Sequence, residues 1–390
     1  MNGSGLENKA ATVALVKCSS YECAEVKEAV AKGLELIGGA DSLFRPGEKI
    51  LLKPNLLTAE PPEKCVTTHP AVFKAVAEAL MKTGIKLVYG DSPGLGSTEK
   101  VARKAGIMNA AEELGIELAD FKKGGEVVFD KGMQNKKFVI AQGVLDCDGV
   151  VSLPKFKTHG LTMLTGAIKN QFGCIPGVLK GEFHVKLPRL EDFARMLVDL
   201  NCLLRPRLFV MDAVMAMEGN GPRSGNPHYM GVLLFSTDPV ALDATAGRLV
   251  GVRPDEVPTL KYGQESGLGV WKSEDIEIVG DSLAELRVEG FVRGKKAPDF
   301  EGGSQRLRNF LVPRPRIKAE ECVQCGICRE MCPLKPSAVD WIKDGKSLPP
   351  AYNYDRCIRC YCCQELCPEG AIEIYTPWAG RLLAPLRPRQ

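Results

Sequence analysis

The chain has 390 residues, of which 51 are Lys or Arg and 48 are Asp or Glu, giving a formal net charge of +3. A hydrophobic content of 45% and a charged content of 25% are those of a globular protein, so the composition excludes disordered, collagenous and coiled-coil classes. The near-neutral charge argues against a nucleic-acid-binding protein, which would carry a strong excess of basic residues. No apolar run approaches the roughly 18 residues of a membrane-spanning helix, so the sequence predicts no transmembrane segment.

Short apolar runs alternate with amphipathic segments between residues 11 and 290, which is the pattern of an α/β domain. In chain order, the predicted elements are a strand at 12–17, a helix at 23–37, a strand ending near Lys53, a helix after Thr68, a strand at 85–94, a helix at 98–114, a hairpin-like region, a strand running into the basic loop LPKFKTHG, helices at 163–172 and 188–204, a strand at 207–214, the strand–turn–helix GVLLFSTDPVALDATAGRLVG, and a strand at 275–280. We therefore predict an α/β amino-terminal domain with a largely parallel sheet.

Nine of the 15 cysteines lie between Cys322 and Cys367, in two runs with the same spacing, CVQCGICREMCP and CIRCYCCQELCP. A cubane iron–sulfur cluster needs four thiolates, of which one tight C-x2-C-x2-C loop supplies three. Structural zinc instead uses two separated C-x2-C pairs, and a chain of this length does not need disulfide bonds for stability. The spacing therefore predicts two [4Fe-4S] clusters, and we expect a reducing, cytoplasmic compartment.

The segment 317–377 resembles the bacterial-type ferredoxins with two [4Fe-4S] clusters, which implies a small α+β ferredoxin-like domain. In that family the last cysteine of each run completes the cluster that the other run holds. The resemblance therefore implies one cluster on Cys322, Cys325, Cys328 and Cys367, and a second on Cys357, Cys360, Cys363 and Cys332. Cys362 is left over, and we interpret it as a small neighbour of a cluster and not as a ligand.

Lysine, asparagine and histidine gather where loops should follow the predicted strands. Ligands of open α/β sheets bind at the carboxyl ends of strands, where lysine can hold a phosphate or a carboxylate. We predict an anion-binding site at this edge, with Lys157 and His159 as catalytic residues and His159 as the proton donor. The predicted substrate-binding residues are Lys53, Asn55, Lys155, Lys169 and Asn170. The competing interpretation is that these side chains cap helices, pair with acids or face solvent.

Several motifs together resemble the domain-of-unknown-function-362 family over residues 11–290, namely LLKPNLL, TTHPAV, GDSPG, LPKFKTHGLTMLTGAIKNQFG and STDPVALDA. Members of that family often carry a carboxy-terminal two-cluster ferredoxin domain. The resemblance implies an iron–sulfur-linked, oxidoreductive role in anaerobic-type metabolism, and it provides no established catalytic residues. The predicted organisation is this α/β domain at 11–290, a basic linker at 291–316, the two-cluster domain at 317–377 and a tail at 378–390.

The sequence contains no Walker loop, no strand-led G-x-G-x-x-G and no G-x-S-x-G elbow, so no motif supports ATP, NAD, FAD or serine-hydrolase chemistry. Iron–sulfur clusters of the ferredoxin type store and transfer single electrons, and they do not themselves make or break bonds of a substrate. Their fusion to a domain with a polar site therefore suggests an oxidoreductase that acts on a small anionic substrate. The alternative is a non-catalytic electron carrier or maturation factor that docks a partner oxidoreductase. In both cases we expect a redox partner protein, either a ferredoxin or an oxidoreductase.

Overall fold

The computed structural model describes residues 10–177, 179–294, 305–342 and 348–383. The strands of the α/β domain are β1 (Ala11–Lys17), β2 (Lys49–Pro54), β3 (Lys86–Tyr89), β4 (Glu117–Leu118), β5 (Gly124–Val128), β6 (Lys137–Ala141), β7 (Gly149–Leu153), β8 (Lys155–His159), β9 (Met163–Thr165), β10 (Leu208–Glu218), β11 (Asn226–Ser236) and β12 (Ile276–Gly280). Its α-helices are α1 (Cys23–Leu36), α2 (Pro70–Met81), α3 (Thr98–Lys104), α4 (Ile107–Glu113), α5 (Gln142–Leu145), α6 (Ala167–Asn170), α7 (Leu179–Lys186), α8 (Leu190–Leu204), α9 (Pro239–Leu249) and α10 (Pro258–Glu265).

Ten of these strands form one sheet in the order β12-β1-β11-β10-β7-β2-β3-β4, with β8 paired to β10 and β9 paired to β8. The strands from β10 through β7, β2 and β3 to β4 run parallel, as do β1 and β12. β11 is antiparallel to both of its neighbours, and β5 and β6 form a separate antiparallel hairpin. The predicted α/β fold with a largely parallel sheet is confirmed.

Both faces of the sheet are buried, because successive residues of the central strands enter different cores. Leu15 and Leu51 pack into one hydrophobic cluster, whereas their neighbours Ala14 and Leu52 pack into the other. Helices on the two faces supply the opposing side chains, as a doubly covered parallel sheet requires. Asp238 caps α9, because its carboxylate accepts hydrogen bonds from the N–H groups of Val240 and Ala241.

Three local predictions were wrong. The helix predicted at 98–114 is divided into α3 and α4 at Gly106, whose φ of 74° cannot belong to a right-handed helix. The predicted basic loop LPKFKTHG instead contains β8, whose five residues are all buried. This strand pairs with β10 and β9, so its lysines extend into the protein and not into solvent. The next segment, predicted as a helix at 163–172, begins as β9 and is α-helical only in α6.

The carboxy-terminal module contains strands β13 (Arg314–Ile317), β14 (Val339–Asp340), β15 (Ala351–Tyr352) and β16 (Ile372–Tyr375), and helices α11 (Gln305–Leu311), α12 (Ile327–Glu330), α13 (Cys362–Glu365) and α14 (Trp378–Leu383). The strands form two antiparallel pairs, β13 with β16 and β14 with β15. The predicted linker therefore includes α11 and most of β13, and the predicted tail begins with α14, which packs on α11. Linker residues 295–304 and tail residues 384–390 lie outside the described ranges. Among the helices in those ranges, none has the length and apolar character that crossing a bilayer requires.

Candidate functional site

Eight cysteines of the carboxy-terminal module surround two separate cavities. The first cavity is lined by the thiols of Cys322, Cys325, Cys328 and Cys367. The second is lined by the thiols of Cys332, Cys357, Cys360 and Cys363. Each cavity thus takes three thiols from one cysteine run and one from the other. This is the crossed arrangement that the resemblance to two-cluster ferredoxins implies.

The surroundings of the thiols fit an iron–sulfur cluster. The Ala338 N–H group donates a hydrogen bond to Cys332 Sγ at 3.4 Å, and the Tyr352 hydroxyl donates one to Cys363 Sγ at 3.2 Å. Hydrogen bonds to sulfur are one of the ways in which a protein sets the potential of a cluster. Across the described ranges, no three His, Cys, Asp or Glu side chains meet around the position of a single metal ion. Cys362 lines neither cavity.

The loop GNGPRSG, residues 219–225 after β10, holds the carboxy-terminal module against the α/β domain. Gln364 Nε2 donates to Asn220 Oδ1 at 2.9 Å and to the Gly221 carbonyl at 3.1 Å. Arg223 donates to the Leu366 carbonyl at 2.6 Å and pairs with Glu60 at 2.6 Å. The polar residues of this loop are therefore used to join the two modules.

A cleft of about 730 Å³ lies where the two modules meet. The α/β domain contributes the glycine-rich loop 91–96 after β3, the end of β8, α6 and α7. The carboxy-terminal module contributes Cys332, Cys362 and Glu365. Because Cys332 also lines the second thiol cavity, the cleft and that cavity share a wall.

Five of the seven predicted site residues line this cleft, and they are Asn55, Lys157, His159, Lys169 and Asn170. The other two, Lys53 and Lys155, are fully buried beneath it. Lys53 Nζ lies 2.9 Å from Asp91 Oδ1, and Lys155 Nζ lies 2.9 Å from Asp212 Oδ2. Both lysines therefore neutralise carboxylates inside the domain, which is the competing interpretation given above.

Lys157 is held by two acceptors and faces the cleft. Its Nζ donates to Asn55 Oδ1 at 2.6 Å and to the Val66 carbonyl at 2.7 Å, which leaves one of its three hydrogen atoms unused. Burial, together with the positive charges of Lys155 and Lys169, lowers the pKa of Lys157 to about 7. A lysine with such a pKa can give up or accept a proton near neutral pH.

His159 is a poor proton donor in this structure. Its Nδ1 accepts the N–H groups of Leu161 at 3.0 Å and Thr162 at 3.3 Å, so the ring proton lies on Nε2. That Nε2 is 3.0 Å from Glu365 Oε1 of the other module. Burial lowers the pKa of His159 below its ordinary value, although the neighbouring Glu365 carboxylate acts in the opposite direction. The geometry therefore places the His159 ring between the N–H groups of its own loop and Glu365 of the other module.

Sequence reasoning missed Lys180 and His184 on α7 and Glu365 on α13, which all line the cleft. Lys180 Nζ donates to the carbonyls of Ser92 at 3.0 Å and Ile175 at 3.2 Å, and burial lowers its pKa to about 8. Burial raises the pKa of Glu365, but His159 and Lys169 outweigh this effect and hold it below the ordinary value. No motif identifies these residues, because each meets the site only through tertiary packing.

Comparison with known families identifies two parts of the chain. A model described as a 4Fe-4S binding domain matches residues 350–373, so the chain is an iron–sulfur protein. A second model, described as a domain of unknown function (DUF362), matches residues 50–248. The chain belongs to this DUF362 family, which confirms the family that the sequence motifs indicated.

One relative is a protein of Synechocystis sp. named thylakoid-associated protein sll1697. It is 34% identical over 264 residues, which are 67% of this chain and 82% of the relative. Two solved structures are more distant, at 12% identity each. The lactate racemase apoprotein from Thermoanaerobacterium thermosaccharolyticum has a TM-score of 0.41 over 61% of this chain and 57% of its own. A protein from Thermotoga maritima has a TM-score of 0.34 over 57% of each chain. Similarities of this size carry no inference about function.

Proposed function

We propose that this protein is an oxidoreductase that acts on a small anionic substrate bound in the cleft between its two modules. The observation that carries the proposal is the shared wall of the cleft and the second thiol cavity, formed by Cys332. Lys157 and Lys169 line the same cleft. A substrate held by these lysines would thus lie beside a redox centre, which is the arrangement that a reaction needs when electrons must reach a bound molecule.

Two [4Fe-4S] clusters, one in each thiol cavity, would supply single electrons at this site. The residues of the α/β domain would supply the rest of the chemistry. Lys169 and Asn55 bind and orient the anion, and Lys157 transfers the proton that accompanies reduction or oxidation. His159 and Asn170 position their neighbours, since Asn170 Nδ2 donates to Ser152 Oγ at 2.9 Å inside the domain.

A redox partner protein would meet the module at the first thiol cavity. Cys325 is exposed there, and Val323 is 61% exposed to solvent. The second cavity adjoins the cleft. Electrons from the partner would therefore pass from the first cavity, at the protein surface, through the second cavity to the substrate. The same exposed surface favours the second candidate, a non-catalytic carrier or maturation factor that docks a partner oxidoreductase.

Anaerobic purification followed by mass spectrometry of bound small molecules tests the proposal. We expect a small anion to be released from the holoprotein and to oxidise or reduce its clusters, as monitored by visible absorbance. Lys157→Met should abolish this reaction and retain the absorbance of the clusters. The matched control is Lys137→Met, at an exposed lysine of β6 paired with Glu126 at 2.6 Å. Co-purification with a large oxidoreductase and no bound anion would instead support the carrier.

The predicted cytoplasmic location and anaerobic role stay predictions. The Synechocystis relative is named for an association with thylakoids. Fractionation of cells, with detection of this protein in the cytosolic and membrane fractions, tests the location directly. Recovery in the membrane fraction would contradict the prediction.

A further inference from the structure

The cleft carries more positive than negative charge. Its inner wall contains three lysines, namely Lys157, Lys169 and Lys180. The same wall contains one carboxylate, Glu365, that has no buried lysine as an ion-pair partner. The other carboxylate of the floor, Asp91, is paired with Lys53. At the mouth, Lys186 pairs with Glu182, and Lys335 balances Glu330. With every lysine protonated, two positive charges inside the cleft have no counter-charge from the Asp and Glu side chains that line it.

Of the three lysines Lys157, Lys169 and Lys180, Lys169 has the fewest partners among the described residues. Its Nζ lies 4.9 Å from the centre of the Phe172 ring and 6.0 Å from that of Phe193. Among the described residues, no hydrogen-bond acceptor or carboxylate is close enough to bind this ammonium group. Lys180 differs, because its ammonium bonds to Ser92 and Ile175. An anion in the cleft would therefore find a free cation in Lys169 and one remaining N–H on Lys157.

His184 supplies a second observation, independent of the lysines. Its side chain is 5% exposed, stacks on Phe193 at 4.5 Å between ring centres, and lines the cleft. Within the part of the chain that the structure describes, its Nδ1 is buried and has no hydrogen-bond partner. Burial lowers the pKa of His184 to about 4, so the ring is neutral and has one N–H to donate. A buried polar group without a partner is costly, and a ligand acceptor would remove that cost.

We infer that the cleft binds a dianion, whose two charges lie against Lys157 and Lys169 and which accepts a hydrogen bond from His184. A phosphate monoester and a dicarboxylate share this chemistry. The inference rests on the proposed function in using the same cleft, and it names the class of substrate. The volume of about 730 Å³ is in the range of roughly 300–1,000 Å³ typical of organic ligands, so the anionic groups belong to a larger molecule than free phosphate.

Isothermal titration calorimetry of the oxidised holoprotein, under anaerobic conditions and at equal ionic strength, tests the inference with inorganic phosphate, succinate and acetate. We expect phosphate or succinate to bind at least about tenfold more tightly than the monoanion acetate. The better of the two dianions distinguishes a phosphate ligand from a dicarboxylate. Acetate binding as tightly as both dianions would overturn the inference.

Variants assign the binding to the named residues. Lys169→Met should weaken the binding of the dianion by roughly ten- to a hundredfold, and Lys169→Arg should retain most of it. His184→Phe, which keeps the ring stacked on Phe193, should also weaken it. Lys137→Met should have no effect, and visible absorbance of the clusters verifies that each variant is folded. Unchanged affinity in both Lys169→Met and His184→Phe would refute the assignment.

These measurements do not depend on electron transfer, so the two proposals can fail separately. If dianions bind but never oxidise or reduce the clusters, the inference stands and the oxidoreductase proposal is wrong. If the protein reacts with an anion that binds equally well after Lys169→Met, the oxidoreductase proposal stands and the inference is wrong.

Discussion

Lys155→Met should destabilise the protein and leave anion binding almost unchanged, although Lys155 was predicted as a substrate-binding residue. Its Nζ lies 2.9 Å from Asp212 Oδ2 and donates to the Tyr21 hydroxyl oxygen at 2.7 Å. Lys155 and Asp212 are both inaccessible to solvent. Removing one partner of a buried ion pair leaves the other charge uncompensated, which typically costs about 3–5 kcal/mol. Asp212 retains hydrogen bonds from the Tyr21 hydroxyl and the His69 N–H, so we expect about 3 kcal/mol.

Thermal unfolding of the oxidised holoprotein, followed by circular dichroism, measures this effect. A loss of about 3 kcal/mol corresponds to a decrease in the midpoint of roughly 6–12 °C for a domain of this size. The exposed Lys137→Met variant should show almost no shift, because exposed ion pairs contribute little. Titration of the same Lys155→Met sample with phosphate should give an affinity within about threefold of the unsubstituted protein, since this lysine is not part of the cleft wall.

Two results would refute this reasoning. One is an unchanged midpoint for Lys155→Met, which would show that the buried pair is not needed for stability. The other is a large loss of anion affinity at unchanged stability, which would restore Lys155 to the binding site. Lys155→Met combined with Asp212→Leu should recover part of the lost stability, because replacing both members of a buried pair removes the uncompensated charge.

Three further predictions concern the clusters, the floor of the cleft and its pH dependence. Anaerobic analysis should give about eight iron and eight sulfide per chain. About half of each should be lost in Cys332→Ala, and none in Cys362→Ala. Zinc, or about four iron in the unsubstituted protein, would contradict the two-cluster assignment. Gly173→Ala should lower the free energy of unfolding by about 1–3 kcal/mol, because the added Cβ would lie 1.8 Å from Asp91 Oδ1. A thermal midpoint equal to that of the unsubstituted protein would contradict this expectation. The affinity for sulfate should fall as the pH rises through about 7, because Lys157 then loses its proton while the charge of sulfate stays constant. Sulfate binding near this pH should therefore be accompanied by proton uptake, which calorimetry in buffers of different ionisation enthalpy measures. Equal affinity at low and high pH would exclude Lys157 as a charged contact of the anion.

Local pattern in the sequence was enough to predict the class of fold and the kind of redox centre. The hydrophobic run of β1 and the four-residue spacing of Val72, Val76 and Leu80 on one face of α2 are properties of nearby residues in the chain, so they can be read without a structure. The same holds for the two cysteine runs, whose spacing is set by the short loops that hold a cluster. The families implied by these motifs are confirmed by the matches at 50–248 and 350–373.

Only the tertiary structure decided which polar residues share the cleft. Lys155 and Lys157 are two residues apart on β8, yet one is paired with Asp212 and the other faces the cleft. Their partners are supplied by distant parts of the chain, and no spacing along the sequence records them. Glu365 lies within the second cysteine run, but its contact with His159 exists only because the two modules dock. The environment of a buried charge depends on all the groups within a few ångströms in space, and this is the physical reason why sequence alone could propose the site but not assign its residues.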